Sequence, residues 1–176
     1  KEDVIAKVDG LESFTTDTPD QWWSDDARYP TTSGRFQGEP AYFKHIVNAA
    51  KILMIRKDLK SDDLDHVILH HPTLSFAMRA ARKLDIDRSK LTFADTISHV
   101  GNPFNSSTFL SLAHVFDVAK PDQRILMVQY GSGGGADAVL LNTTEMLPEK
   151  RSSTVSVRDQ LEKRRYISYY TYRKRN

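Results

Sequence analysis

The sequence predicts an α/β layered domain, and three observations carry that reading. The first is Asp65-His66-Val67-Ile68-Leu69-His70-His71-Pro72, where the continuous run Val67, Ile68 and Leu69 suits a strand buried on both faces. The second is the helical spacing of Leu74, Ala77, Met78, Ala81 and Leu84, directly after that run. The third is Arg124–Tyr130, a second strong strand, which Gly131-Ser132-Gly133-Gly134-Gly135 turns into Ala138-Val139-Leu140-Leu141, an antiparallel neighbour. Pro72 has no N–H to give a ladder, so the first strand stops before it. His70 and His71 therefore fall between a strand's carboxyl end and a helix start, which is where open α/β sheets bind ligands.

Taken in order, residues 4–14 have strand character and lead into the polar run Thr15-Thr16-Asp17-Thr18-Pro19-Asp20. Residues 15–37 read as one long loop broken by Pro30, Ser33 and Gly34. Trp22, Trp23, Tyr29 and Phe36 argue that this loop packs against something, near where a ligand enters or at a subunit interface. Gly38-Glu39-Pro40 introduces a helix over 41–57 whose stripe is Ile46, Val47, Ala50, Leu53 and Met54, with Pro40 suited to its first position. No element is assigned to Leu91–Val100. Gly101-Asn102-Pro103-Phe104-Asn105-Ser106-Ser107 is a turn rich in N-cap residues, opening a helix through Ala119 that should turn Phe109, Leu112, Ala113 and Phe116 to a core. Residues 143–156 read as a connector, and a short helix near Val157–Arg165 precedes a tyrosine-rich end.

Composition sets the bounds. With 176 residues and 39% hydrophobic content the chain can bury one core, and no internal repeat is visible. No stretch approaches the roughly 20 apolar residues of a membrane span. The opening Lys1-Glu2-Asp3-Val4 lacks the apolar segment of a signal peptide, so a cytoplasmic location is expected. Zero cysteines exclude disulfides, thiolate metal ligands and a cysteine nucleophile within this chain. The net charge of +2 divides into +7 from Lys150 onward and −5 over the rest. Tyr166, Tyr169, Tyr170 and Tyr172 interleave that basic segment, which reads as a docking surface for a protein rather than a nucleic-acid arm.

Three polar turns, His70-His71-Pro72, Gly101-Asn102 and Gly131-Ser132-Gly133, fall beside strand ends or helix starts and can meet at one edge of the sheet. A histidine there can give or take a proton near neutral pH. An asparagine supplies an amide donor, and a glycine turn exposes backbone N–H groups, so together they suit a carbonyl that becomes an oxyanion. Each turn also has a plain structural explanation: a packed histidine, a helix-capping turn, a hairpin. The glycine turn lacks a P-loop lysine and opens no helix, which argues against phosphate cradling. His45, His66, His99 and His114 show no metal-ligand spacing and read as surface or packing residues.

Longer segments sharpen the choice. Ser13-Phe-Thr-Thr-Asp-Thr-Pro-Asp20, Gly34-Arg-Phe-Gln-Gly-Glu-Pro-Ala-Tyr-Phe43, His70-His-Pro72, Gly101-Asn102, Ala119-Lys-Pro-Asp-Gln-Arg-Ile-Leu-Met127, Tyr130-Gly-Ser-Gly133 and Arg164-Arg-Tyr-Ile-Ser-Tyr169 run the length of the chain. In that order they resemble the thiolase-fold condensing enzymes, most closely the C-terminal half of an archaeal-type hydroxymethylglutaryl-CoA synthase. The resemblance implies half of a layered αβαβα fold over residues 1–176, with a mixed sheet flanked by helices and a basic, tyrosine-rich C-terminal extension over 145–176. It implies an acetyl group carried on a cysteine, which condenses with acetoacetyl-CoA after a glutamate removes a methyl proton. The cysteine and glutamate belong to the N-terminal thiolase-like half, the expected partner. By resemblance His70 hydrogen-bonds the acetoacetyl group and passes a proton, Asn102 holds its oxygen, Arg79 contacts substrate, and Ser132 lines the pocket between Gly131 and Gly133. Coenzyme A thioesters enter as substrates and no cofactor is implied. A homo-oligomer or a complex with acetoacetyl-CoA thiolase is expected, with neither nucleic acid nor membrane as partner.

The chain departs from that pattern twice. Where the family reads His-Gln-Pro-Asn-Gly-Lys, this chain has His70-His71-Pro72-Thr73-Leu74-Ser75, so a CoA-binding lysine is replaced by Ser75 and a charge-assisted contact is lost. Gln37 stands where a threonine is expected. Another condensing enzyme, of the ketoacyl synthase III kind, and a non-catalytic scaffold subunit of a thiolase complex are the rival readings.

Overall fold

The structure is a computed structural model that describes residues 3–34, 38–92 and 99–175. The chain opens with β1 (Ala6–Thr15), and a small hairpin of β2 (Gln21–Trp22) and β3 (Thr31–Thr32) follows. Next come α1 (Tyr42–Arg56), β4 (His66–Leu69) and α2 (Leu74–Lys83). The second half runs α3 (Ser106–Val118), β5 (Arg124–Gly131), β6 (Gly135–Thr143), α4 (Leu147–Ser152), α5 (Val157–Glu162) and α6 (Tyr169–Arg175). Among the described residues the main sheet is mixed, in the order β1-β6-β5-β4. β6 is antiparallel to both its neighbours, and β4 is parallel to β5 with Leu69 opposite Val128.

Alternation divides the strands between two cores. Val67, Leu69, Leu126, Val128 and Leu140 pack under α1 and α2, while Ile68, Ile125, Met127 and Leu141 pack with Val115 of α3 and Leu147 of α4. Val67, Ile68 and Leu69 are 0%, 2% and 1% exposed, as a strand covered on both faces requires. β4 is also held along its other side, where Val67 bridges Leu91 in parallel and the Thr92 N–H donates to the Val67 carbonyl at 3.1 Å. Residues 93–98 of the unassigned stretch lie outside the described residues.

Four expectations need correction. α1 begins at Tyr42 rather than with Pro40, which follows a cis peptide bond. Leu74 lies half exposed on α2, whose buried side is Ala77, Ala80 and Ala81. The connector at 143–156 contains α4, whose Arg151 Nε donates to the Phe116 carbonyl at 2.8 Å and so caps the end of α3. The face of α3 is the fourth. Leu112 and Phe116 pack partly buried against the core as expected, but Phe109 is 57% exposed and Ala113 also faces solvent, and the buried residues are Ser107, Thr108, Ser111 and Val115. The two serines can go under because nearby backbone partners them: Ser107 Oγ donates to the Phe104 carbonyl and Ser111 Oγ to the Ser107 carbonyl, while the Thr108 hydroxyl is buried without a partner among the described residues.

The long loop is only partly packed. Asp20 is buried, but Trp22, Trp23 and Tyr29 are largely exposed, with the Trp23 indole donating locally to the Ala27 carbonyl at 2.7 Å; Phe36 lies outside the described residues. Tyr166, Tyr169, Tyr170 and Tyr172 of the basic segment are also largely exposed. Among the described residues no helix is long and apolar enough to cross a membrane.

Candidate active site

β4 and β5 end side by side, and a cavity of about 390 Å³ opens at their carboxyl ends. His70, Asn102 and Ser132, the heads of the three polar turns, all line it. Its walls are the rings of Tyr42, Phe76, Phe104 and Tyr130, with Asp20, Gln21 and Thr32 contributed by the long loop and hairpin. An apolar enclosure with a few convergent polar groups is the usual form of a small-molecule site.

His70 is fixed at several points. Its N–H continues the ladder to the Val128 carbonyl at 2.8 Å, and its own carbonyl accepts from the Tyr42 hydroxyl. Nδ1 lies 2.8 Å from the Tyr130 carbonyl, which can only accept, so Nδ1 carries the ring hydrogen. In the neutral ring Nε2 is then a bare acceptor, and it is buried with no partner among the described residues. Burial pushes the imidazole's pKa below its ordinary 6.5; the Tyr130 carbonyl opposes this and neighbouring His71 adds to it. The resting site therefore holds a neutral histidine with one uncommitted nitrogen.

His71 does not line the cavity; its Nδ1 is 3.0 Å from the Leu69 carbonyl. Asn102 Oδ1 accepts from the Phe104 N–H at 2.9 Å, so its amide presents Nδ2 as a donor. Phe104 sits at φ 52°, an uncommon conformation for a bulky residue, and that turn brings its N–H back onto Asn102.

The glycine turn differs from expectation in one respect. The Gly133 N–H is taken by Asp20 Oδ1 at 2.7 Å, so it is not free for an oxyanion. The turn is stapled again where the Thr16 N–H donates to the Gly134 carbonyl at 3.1 Å. Gly134 adopts φ +107°, and a Cβ there would lie 2.6 Å from the Thr16 carbonyl oxygen, so only glycine fits. The Tyr130 hydroxyl is buried beside Asp20; burial first, then that carboxylate, push its pKa up.

The remaining candidates divide. Gly131 ends β5 beside Ser132. Arg79 is exposed on α2 and stacks its guanidinium 4.4 Å from the centre of the Phe43 ring, outside the cavity lining. Ser75 is exposed, its hydroxyl 2.9 Å from that of Thr73. Gln37 lies outside the described residues. His66 bridges Thr92 and Gln123 at 3.0 Å each, a packing role. Tyr42, Asp20 and Tyr130 are among the site residues that the sequence did not single out, although each stands inside a segment that carried the resemblance.

Residues 54–143, which contain all three polar turns, match the family model of the 3-oxoacyl-[acyl-carrier-protein] synthase III C-terminal domain. The chain belongs to this family. As a synthase III C-terminal domain it is 38% identical, over 174 residues, to the hydroxymethylglutaryl-CoA synthase of Methanococcus maripaludis, covering 99% of this chain and 50% of that protein. The enzyme of the same name from Pyrobaculum aerophilum is 39% identical over 175 residues, again over 99% of the chain and 50% of the relative. The domain thus spans about half the length of the curated relatives it matches.

Solved structures agree on the fold. A crystal structure of an HMG-CoA synthase complexed with CoA superposes with a TM-score of 0.78 at 21% identity, over 97% of this chain and 47% of that one. A 3-oxoacyl-[acyl-carrier-protein] synthase III from Aquifex aeolicus gives 0.69 at 20% identity, over 81% and 46%. The domain therefore has the fold of one half of these thiolase-like enzymes, as the sequence implied.

Proposed function

We propose that the chain supplies the histidine and asparagine side of a hydroxymethylglutaryl-CoA synthase site, which condenses acetyl-CoA with acetoacetyl-CoA on the route to isoprenoid precursors. The observation that carries this reading is a neutral His70 with a bare, enclosed Nε2 in the same cavity as the Asn102 amide. A complementary N-terminal half, present in proteins of twice this length, supplies the acetylated cysteine and the glutamate base. The glutamate removes a proton from the acetyl methyl, and that carbon bonds to the ketone carbon of acetoacetyl-CoA. The electron pair of the broken C=O bond moves onto oxygen, where the Asn102 amide stabilises the oxyanion. Nδ1 stays committed to Tyr130, so Nε2 of His70 takes up the proton that the glutamate removed and hands it to that oxygen, leaving an alcohol and returning both residues to their starting states.

The rings of Tyr42, Phe76, Phe104 and Tyr130 enclose the acyl group and keep water from the enolate. No cofactor is needed, since both thioesters are substrates. Location in the cytoplasm and assembly as an oligomer, or with acetoacetyl-CoA thiolase, fit this role. With Ser75 replacing a lysine, the CoA handle is gripped without that cation, and Arg79, exposed on α2 beside the Phe43 ring, contacts the substrate outside the acyl cavity. The family match to a carrier-protein-dependent synthase favours one alternative, in which the acyl group arrives on a carrier protein.

The test is to assemble the chain with a complementary half bearing the cysteine and to follow free CoA released from acetyl-CoA plus acetoacetyl-CoA. Release that needs both thioesters and both halves is the expected result. A chain that is active alone, or an assembled protein that accepts only carrier-bound acyl groups, overturns it.

A further inference from the structure

Tyr42 takes no part in the chemistry described above, yet it is placed to decide how His70 stands. It opens α1, 28 residues before the histidine, and is only 2% exposed. Its ring is locked edge-on by Phe43, Phe76 and Tyr130, with centroids 5.0, 5.1 and 5.6 Å away. Those contacts leave its hydroxyl on the His70 backbone carbonyl. Regular pairing of β4 with β5 ends at Leu69, so this carbonyl falls one residue beyond the last ladder pair. The tyrosine bond takes over where the sheet stops.

We propose that Tyr42 is the positioning residue of the site: by holding the His70 carbonyl it fixes the imidazole so that Nδ1 keeps its hydrogen bond to Tyr130 and Nε2 stays bare. Three bonds then define the histidine: its N–H to Val128, its carbonyl from Tyr42, and its ring to Tyr130. Removing one lets the residue rotate about its backbone, and the ring hydrogen is no longer confined to Nδ1. Burial raises the pKa of Tyr42, so its hydroxyl remains a donor over the whole working range. The kinetic consequence rests on the condensing-site reading, but the structural one does not.

Tyr42→Phe keeps the aromatic packing and deletes only the hydroxyl, which makes it the informative variant. In the assembled protein with labelled histidine, the His70 ring-nitrogen shifts should report the Nδ1–H tautomer in the unmodified protein and a mixture of tautomers in Tyr42→Phe. Condensation should lose roughly two- to twelvefold in kcat, the span of one ordinary hydrogen bond, with little change in KM. Leu53→Ala, in the same helix but outside the site, serves as the stability control and should lower the melting temperature while leaving the tautomer alone. A Tyr42→Phe protein that melts lower but keeps the unmodified tautomer and kcat overturns the proposal. If the tautomer shifts as expected while even the unmodified protein fails to condense its substrates, the positioning role stands and the synthase reading falls.

Discussion

His45 and His70 flank the same tyrosine and differ at a single atom. The ring of Tyr130 lies between them, 5.9 Å from one imidazole and 6.4 Å from the other. Both histidines are buried and both direct Nδ1 at a backbone carbonyl, His45 at Ala41 and His70 at Tyr130. His45 then spends its second nitrogen on the Thr16 hydroxyl at 2.8 Å, and that hydroxyl is in turn 2.8 Å from Thr18. His70 has no such partner for Nε2. A buried polar atom left unpaired costs on the order of 1–3 kcal/mol, so a fold that keeps one beside a cavity reserves it for a ligand. Two buried histidines thus separate into a closed structural unit and an open chemical one.

The largest effect expected from breaking this comparison is on rate. His70→Ala in the assembled enzyme should lower single-turnover condensation by about 10²–10⁴-fold while the protein still melts cooperatively. His71→Ala should leave the chemistry within a few-fold, since His71 does not line the cavity. If instead His71→Ala abolished condensation and His70→Ala did not, the register of the strand end would be off by one.

How much of this was legible follows from how far apart the cooperating residues lie. The strand at 66–69, its proline stop and the helix beyond are written in consecutive residues, so His70 could be placed at a sheet edge from sequence alone. The partners that give His70 its character could not. Tyr42 reaches it across 28 positions, and Asp20 closes the glycine turn across 113. No local pattern encodes such pairings. α3 misled in part, for a different reason: Leu112 and Phe116 reach the core as their spacing implies, but Ser107 and Ser111 give their hydroxyls to carbonyls three and four residues back and go under where Phe109 and Ala113 were expected. Hydropathy spacing reads side-chain polarity and cannot see a hydroxyl already partnered by its own backbone. Arg79 lies over Phe43, outside the cavity lining, a position that only the folded chain gives.

The converse substitution sharpens the contrast from the structural side. His45→Leu fills similar space but removes two hydrogen bonds, one to the Thr16 hydroxyl, which keeps Thr18, and one to the Ala41 carbonyl, which keeps the backbone N–H of residue 45. Stability should fall by roughly 1–3 kcal/mol, seen as a melting temperature lower by several degrees. Turnover well below that melt should stay near the unmodified rate. Loss of condensation in a protein still fully folded would mean that His45 acts through Tyr130 on the site, and the two histidines would not be separable.

The smallest effect expected is on acid stability, and its sign follows from the direction of the pKa shift. His70 in the folded chain has a pKa below the ordinary 6.5, because burial disfavours the imidazolium. Between 6.5 and the folded value the unfolded chain binds more protons at this residue than the folded one. Stability therefore falls as pH drops through that window, and the loss is complete once pH lies below both values. His70→Asn retains a polar side chain but cannot charge, so it removes this contribution. Melting temperatures of the two proteins at about pH 7 and about pH 5 supply the measurement, with neutral pH near the top of the window and mild acid inside or below it. The variant should lose fewer degrees on acidification than the unmodified protein, whatever its stability at neutral pH. An equal loss in both would show that His70 titrates alike in the folded and unfolded chains. Its Nε2 would then be in contact with water, and the distinction from His45 would reduce to solvent access rather than a reserved, dry nitrogen.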